Sequence, residues 1–195
     1  REGEGQTGLS HLSETSSGAE FVLFEDDFEG GTLADWTVMG GVWDILSLGD
    51  NKVLRFDGSA TRGEIVTGDS TWSSYVIEAD IVLPEQKGTV GLLFRYTGRA
   101  THYLFCYTEG IGLRYLKRLA AGGAEIVEKP FTMKANEVYH FKAVIRGNKY
   151  MLYVNDVLEL EVVDEYSPYR EGWVGVYSNG VQSRTDNFKV TRMDA

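Results

Sequence analysis

Three groups of residues in this chain have the types and spacing that chemistry needs. The first is aromatic and cationic. The stretch VGLLFRYTGRATHYLFCYT (90–108) reads as two strands joined across Gly98-Arg99-Ala100-Thr101. Strand side chains alternate with a period of two. In the first strand Val90, Leu92 and Phe94 therefore oppose Gly91, Leu93 and Arg95. In the second, Leu104 and Cys106 oppose Tyr103, Phe105 and Tyr107. One face of the hairpin is expected on a core, and the other to carry Arg95 beside the three rings. Trp173 and Tyr177 join that face if the strand at 172–178 lies in the same sheet, with Val174 and Val176 inward. Flat rings match the apolar C–H faces of sugars, and a guanidinium fork donates to hydroxyls or carboxylates in a fixed geometry. Gly91 and Gly175 would leave room for a ligand to approach the sheet. Arg114, with Tyr115 and Lys117, adds positive charge to this surface and favours an acidic sugar in one parity; in the other it defends a solvated edge strand. The competing reading of the rings is a second core layer, closed by loops or by a neighbouring domain.

The second group is acidic. Glu78 and Asp80 stand two residues apart on the outward side of a strand at 74–83, roughly 7 Å apart. Paired carboxylates at such spacing can do glycosidic acid/base work, and they equally serve to solvate a sheet face. The third group is Asp26 and Asp27 near the start of the chain with Asp186 near its end. These are hard oxygen ligands of the kind calcium takes, provided the terminal strands are neighbours. Otherwise they cap strand ends and turns.

The elements that must position these groups are strands. From Phe21 onward strand signals recur every 8 to 15 residues with Gly, Asn and Asp between them, and no stretch keeps a helical period over three turns. Strands are expected at 21–28, 36–38, 41–47, 52–57, 62–67, 74–83, 89–96, 102–108, 111–118, 124–128, 138–146, 149–155, 158–163, 172–178 and 184–192. Tight hairpins fall at Gly122-Gly123, Gly147-Asn148 and Asn155-Asp156, which tolerate positive φ. Tyr75, Ile77, Ala79, Ile81 and Leu83 form one apolar row; Tyr139, Phe141, Ala143 and Ile145 form another; Leu152 with Val154 adds a third. Pro84, Pro130 and Pro168 sit at strand ends, where a missing N–H costs no ladder bond. The pattern predicts an all-β fold, two antiparallel sheets stacked as a β-sandwich over 21–195. Residues 1–20, rich in Gly, Ser, Thr and Glu, read as a flexible linker or tail.

With the strands in place, FEDDF (24–28), Trp36, GGVWDI (40–45), GLLFRY (91–96), WVGVYS (173–178) and TDNFKV (185–190) together resemble the concanavalin A-like lectin/glucanase jelly roll. The nearest likeness is to noncatalytic carbohydrate-binding and laminin G-like modules of bacterial polysaccharide-degrading enzymes. The resemblance covers about 21–192. It implies glycan binding on a concave sheet by Arg95, Tyr103, Tyr107, Arg114, Trp173 and Tyr177. It also implies a structural calcium where Asp26 and Asp27 meet Asp186, other modules of a longer polypeptide as partners, and an extracellular or cell-surface location. Catalytic relatives carry alternating acids in an E-x-D-x-(x)-E run. Here Glu78-Ala79-Asp80 is followed by apolar residues where the last acid would fall, so the resemblance favours a noncatalytic module. A hydrolase or lyase using Glu78 and Asp80, and a structural docking domain, are the alternatives.

Composition narrows the classes further. The 195 residues fit one domain and carry a net charge of −10, which disfavours nucleic acid. No apolar run approaches the ~20 residues of a membrane helix. The single cysteine, Cys106, permits no intrachain disulfide and reads as a buried, inert thiol. His11, His102 and His140 are scattered, without a zinc-binding pattern. The chain begins at Arg1 without an apolar signal core, which reads as a fragment or mature portion of something longer.

Overall fold

The computed structural model describes residues 20–193; the expected tail lies outside the described residues save for Glu20. The described residues form fifteen strands and no helix. They are β1 (Val22–Asp26), β2 (Thr37–Gly40), β3 (Trp43–Leu48), β4 (Asn51–Phe56), β5 (Gly63–Thr67), β6 (Tyr75–Val82), β7 (Thr89–Gly98) and β8 (Thr101–Thr108) in the first half. There follow β9 (Gly112–Arg118), β10 (Ala124–Lys129), β11 (Val138–Arg146), β12 (Lys149–Val154), β13 (Val157–Val163), β14 (Trp173–Asn179) and β15 (Ser183–Arg192). One sheet runs β13-β12-β11-β6-β15-β4-β3, with β1 also paired to β15; the other runs β10-β9-β8-β7-β14-β5-β2. All pairings are antiparallel, so the fold is the expected two-sheet jelly-roll sandwich.

The apolar rows meet between the sheets. Ile77, Ala79, Ile81, Phe141, Ala143 and Ile145 of the eight-stranded sheet are wholly buried. They face Val90, Leu92, Phe94, Val174 and Val176 of the seven-stranded sheet, also wholly buried. Alternation along each strand made this possible, since every second side chain enters one continuous core. The turn chemistry is as expected where φ must be positive: Asn155 and Asp156 take φ of 49° and 63°, and Gly122 and Gly123 take 97° and 84°.

Two features of the β7–β8 hairpin depart from the expected parity. First, β8 presents its rings inward. Val90, Leu92 and Phe94 are the Cα partners of Tyr107, Phe105 and Tyr103, and directly opposed residues of an antiparallel pair share a face. The three rings therefore join the inter-sheet core, with Phe94 stacked on Tyr103 at 5.1 Å, and Leu104 and Cys106 take the outer face. Second, the ladder slips between Phe94 and Gly98, and Arg95 takes a positive φ of 45°. A bulge of this kind adds a residue to one strand and re-aims the side chains beyond it. Arg95 is turned inward and Tyr96 outward.

Candidate functional site

The outer face of the seven-stranded sheet is the surface on which sugar-binding side chains were expected. Its rows follow from the register. One row carries Trp173 of β14 opposite Tyr96 of β7, then His102 of β8 opposite Arg118 of β9. Tyr96 and His102 are stacked at 5.2 Å. A second row is apolar: Val66, Leu93, Leu104 and Leu116. A third runs Glu64, Tyr177, Gly91, Cys106, Arg114 and Glu128.

Of the expected ligand-binding residues, Trp173, Tyr177 and Arg114 reach this face. Trp173 is 38% exposed and lines a pocket of about 210 Å³ with Thr37, Met39, Val66, Thr67 and Tyr96. Tyr177 is nearly covered; its ring lies 6.0 Å from the Arg62 guanidinium, and its hydroxyl accepts from Asn179 at 3.1 Å. Arg114 donates to Glu128 at 3.1 Å.

Arg95, Tyr103 and Tyr107 do not reach it, and that part of the expected surface is corrected. Arg95 is 2% exposed and donates to the carbonyls of Ser73 and Tyr169 and to the Tyr150 hydroxyl. It anchors a strand crossing, since a buried guanidinium must find acceptors for its several N–H groups. Tyr103 donates to Asp164 at 2.6 Å, and Asp164 also receives Lys117 at 2.8 Å, a buried polar knot at the end of the core. Tyr107 is buried and hydrogen-bonded to Glu109; burial pushes its pKa up to about 12. The glycines serve a different need from the one expected. A Cβ on Gly91 would stand 2.0 Å from the Phe105 carbonyl oxygen, and one on Gly175 2.0 Å from that of Ile65. The neighbouring backbones press against these positions, so they are empty because the sheet requires it. Cys106 is fully buried as expected, and desolvation raises its thiol to about 12.

A polar cluster that sequence reading did not single out sits beside the pocket. Glu64 is fully buried on the outer face, where a carboxyl group must find partners. Arg62 grips it with Nε at 2.8 Å, Arg99 approaches to 3.4 Å, and the Tyr96 hydroxyl donates at 3.2 Å. Arg62 also donates to the Arg99 carbonyl at 2.7 Å, which ties the β7–β8 turn to β5. Two atoms on this face are buried without a partner, Nε2 of His102 and Nε of Arg118. Nδ1 of His102 lies 3.0 Å from the Gly98 carbonyl, an acceptor, so the ring proton sits on Nδ1 and Nε2 offers a lone pair. Glu64 follows Arg62 by two residues, a spacing that puts both on one face of a strand; that was the only signal in the sequence, and it is common to many surface ion pairs.

Glu78 and Asp80 lie on the outer face of the other sheet. His140 sits between them, with Nδ1 2.8 Å from Asp80 and Nε2 3.7 Å from Glu78. Hydrogen bonding to Glu78, then to Asp80, raises His140 to about 9, although the contact with Asp80 is the shorter and fixes the ring. The same contact lowers Glu78. Glycosidic acid/base work needs one carboxyl held protonated; His140 drives Glu78 the other way.

The three aspartates expected to hold calcium are divided between two grooves. Asp26 and Asp27 border one of about 670 Å³ with Glu25, Asn187 and Lys189. Asp186 borders another of about 420 Å³ with Asp80 and Asn51. Asp26 accepts from the Phe28 amide at 2.7 Å and from Trp36 Nε1 at 2.8 Å; Asp27 accepts from the Glu29 amide at 3.1 Å; Asp186 accepts from Asn51 at 3.0 Å. The terminal strands are neighbours as expected, but among the described residues no group of three or more His, Cys, Asp or Glu is disposed to hold a metal ion.

The class these observations define is a jelly-roll β-sandwich with an aromatic and guanidinium-bearing face on its seven-stranded sheet. No protein-family model matches the chain. Among solved structures it is similar to the carbohydrate binding module CBM66 from Bacillus subtilis, at 22% identity over 80% of this chain and 95% of that one, with a TM-score of 0.67. It is also similar to domain 4 of AbnA, a GH43 extracellular arabinanase from Geobacillus stearothermophilus in complex with arabinotriose, at 12% identity, 89% and 93% coverage, and a TM-score of 0.65. A Bacteroides ovatus GH16 from a mixed linkage glucan locus aligns at 12% identity over 87% of this chain and all of that one, with a TM-score of 0.63. A curated levanase of Bacillus sp. (strain L7) is 22% identical over 142 residues, 72% of this chain, and the match spans 15% of the levanase's length. Identities this low carry the fold.

Proposed function

We propose that this protein is a carbohydrate-recognition domain whose site is the outer face of the seven-stranded sheet. The observation that carries the reading is Trp173. It is a large ring left 38% exposed over a pocket whose wall, Tyr96, is hydrogen-bonded to a buried, arginine-clamped glutamate. An exposed ring offers a stacking surface for the apolar side of a sugar, and convergent polar groups beside it fix orientation. The site stands on strands and is preformed, which keeps the ordering cost of binding low. The names of CBM66 and of the arabinotriose-bound domain support the same reading. In this view the domain is a noncatalytic module of a longer extracellular polypeptide, and raises the local concentration of a linked enzyme on its polysaccharide. The levanase match, confined to a small part of that protein, supports the modular context.

The experiment is an affinity-gel and calorimetric screen against levan, arabinan, β-glucans and charged polysaccharides, with tryptophan fluorescence as a second readout. Binding that shifts the emission of the chain and is lost in Trp173→Ala supports the reading. Turnover of any glycan that disappears in Glu78→Gln/Asp80→Asn would replace it with the hydrolase reading.

A further inference from the structure

The seven residues of the outer apolar cluster of the seven-stranded sheet are buried, although every strand of the described residues belongs to one of the two sheets and no third layer covers this face. Their cover comes from long side chains of the flanking rows. Arg62 lies against the Tyr177 ring, Arg114 is the Cα partner of Cys106, and Arg118 is the partner of His102. Arg99 reaches in from the β7–β8 turn to Glu64. The face thus carries four arginines, Arg62, Arg99, Arg114 and Arg118, against two glutamates, Glu64 and Glu128, and Asp35 at the Trp173 pocket, a surplus of one positive charge on a chain whose net charge is −10. One of the two glutamates is fully buried and clamped inside the platform. The Arg118 Nε donor is left buried without a partner. Solvation of the apolar rows would be served equally well by lysine or by mixed charges. Guanidinium forks concentrated on one face of an acidic protein are suited to oxyanions that present two oxygens side by side, which they bind bidentately.

We propose that this face selects a glycan bearing carboxylate or sulfate groups, with Trp173 stacking on a sugar ring and Arg114 and Arg118 taking the anionic substituents. The proposal rests on the sugar-binding reading above and names its ligand class. Trp173 and Arg118 are three strands apart, about 14 Å at the usual strand spacing, so a chain of two to three sugar units lying across the strands meets both.

The test is calorimetry on the whole chain with oligogalacturonate, with a sulfated galactan, and with uncharged galactan and levan, each at low and high salt. Arg114→Met and Arg118→Met keep the apolar stem that covers the sheet and remove the fork. Glu128→Gln, at an exposed edge position, releases Arg114 without touching the core. The expected result is that a charged glycan binds at least about tenfold more tightly than its neutral counterpart. That preference weakens as salt rises, falls to near unity in the two methionine variants, and increases in Glu128→Gln. Preference for oligogalacturonate alone, or for the sulfated galactan alone, identifies the substituent. Neutral glycans bound as tightly as charged ones, with no salt dependence, would overturn this inference and leave the sugar-binding reading standing. No binding to any of them, by chains whose melting temperatures are unchanged, would overturn this inference, and no binding to arabinan or β-glucans besides would overturn both.

Discussion

Replacing Trp173 with alanine removes the exposed ring from the pocket while leaving the core intact, because Val174 and Val176, not Trp173, face the opposite sheet. A tryptophan presents about 250 Å². The 38% left exposed is then roughly 95 Å² by that area, of which a stacked sugar ring covers about half. At about 25 cal/mol per Å² the lost contact is worth ~1.2 kcal/mol, or between seven- and tenfold in Kd. Trp173→Phe restores part of the ring area and recovers part of that loss. Calorimetric titration with the tightest glycan of the screen, at matched fold integrity by near-ultraviolet dichroism, measures it. A change below twofold in Trp173→Ala, with the melting temperature held, would refute the reasoning that the ring is the binding platform.

Gly91→Ala and Gly175→Ala force a Cβ to within 2.0 Å of a neighbouring carbonyl oxygen. Strands must separate to admit it, so each lowers stability by more than about 3 kcal/mol and the melting temperature by about 6–12 °C. Lys117→Met leaves Asp164 buried without its cation and is expected to cost about 3–5 kcal/mol in chemical denaturation, more than Lys189→Met at the exposed pair with Glu20. His140, held at about 9 against an ordinary 6.5, stabilises the fold fully below pH 6.5 and loses that contribution as pH rises through 9. With a third of its side chain open to water, the effect is on the order of 1 kcal/mol. A melting-temperature series from pH 6 to 9.5 should slope downward in the parent and flatten in His140→Gln. Asp26 and Asp186 accept from internal donors, so the expected outcome is a melting temperature unchanged by chelator; a drop of several degrees would support the calcium expectation.

Much of the fold was legible from the chain. Period-two alternation in 74–83 and 138–146 placed Ile77, Ala79, Phe141 and Ala143 in the core, and each is fully buried. Their outward neighbours include Glu78, Asp80, His140 and Lys142, so the pattern had one interpretation. Turn residues placed the hairpins, because only residues that tolerate positive φ close a two-residue loop. Trp173 and Tyr177 were assigned to the correct side by the same arithmetic, whereas the parity of Arg114 was left open until its pairing with Cys106 fixed it.

What tertiary structure alone decided was which of two apolar faces of β8 looks inward, and what became of Arg95. Leu104 and Cys106 on one side, and Tyr103, Phe105 and Tyr107 on the other, are both apolar, so alternation carries no sign there. Pairing with β7 settles it by placing Phe94 on Tyr103. The bulge at Arg95 breaks the count by one residue and sends a guanidinium into the interior, where Ser73, Tyr150 and Tyr169 from distant parts of the chain supply its acceptors. The clamp of Arg62 and Arg99 on Glu64 arises the same way, from a loop and a turn brought together by strands that are far apart in sequence. Alternation is a property of a single strand, whereas register, bulges and shared acceptors exist only between strands.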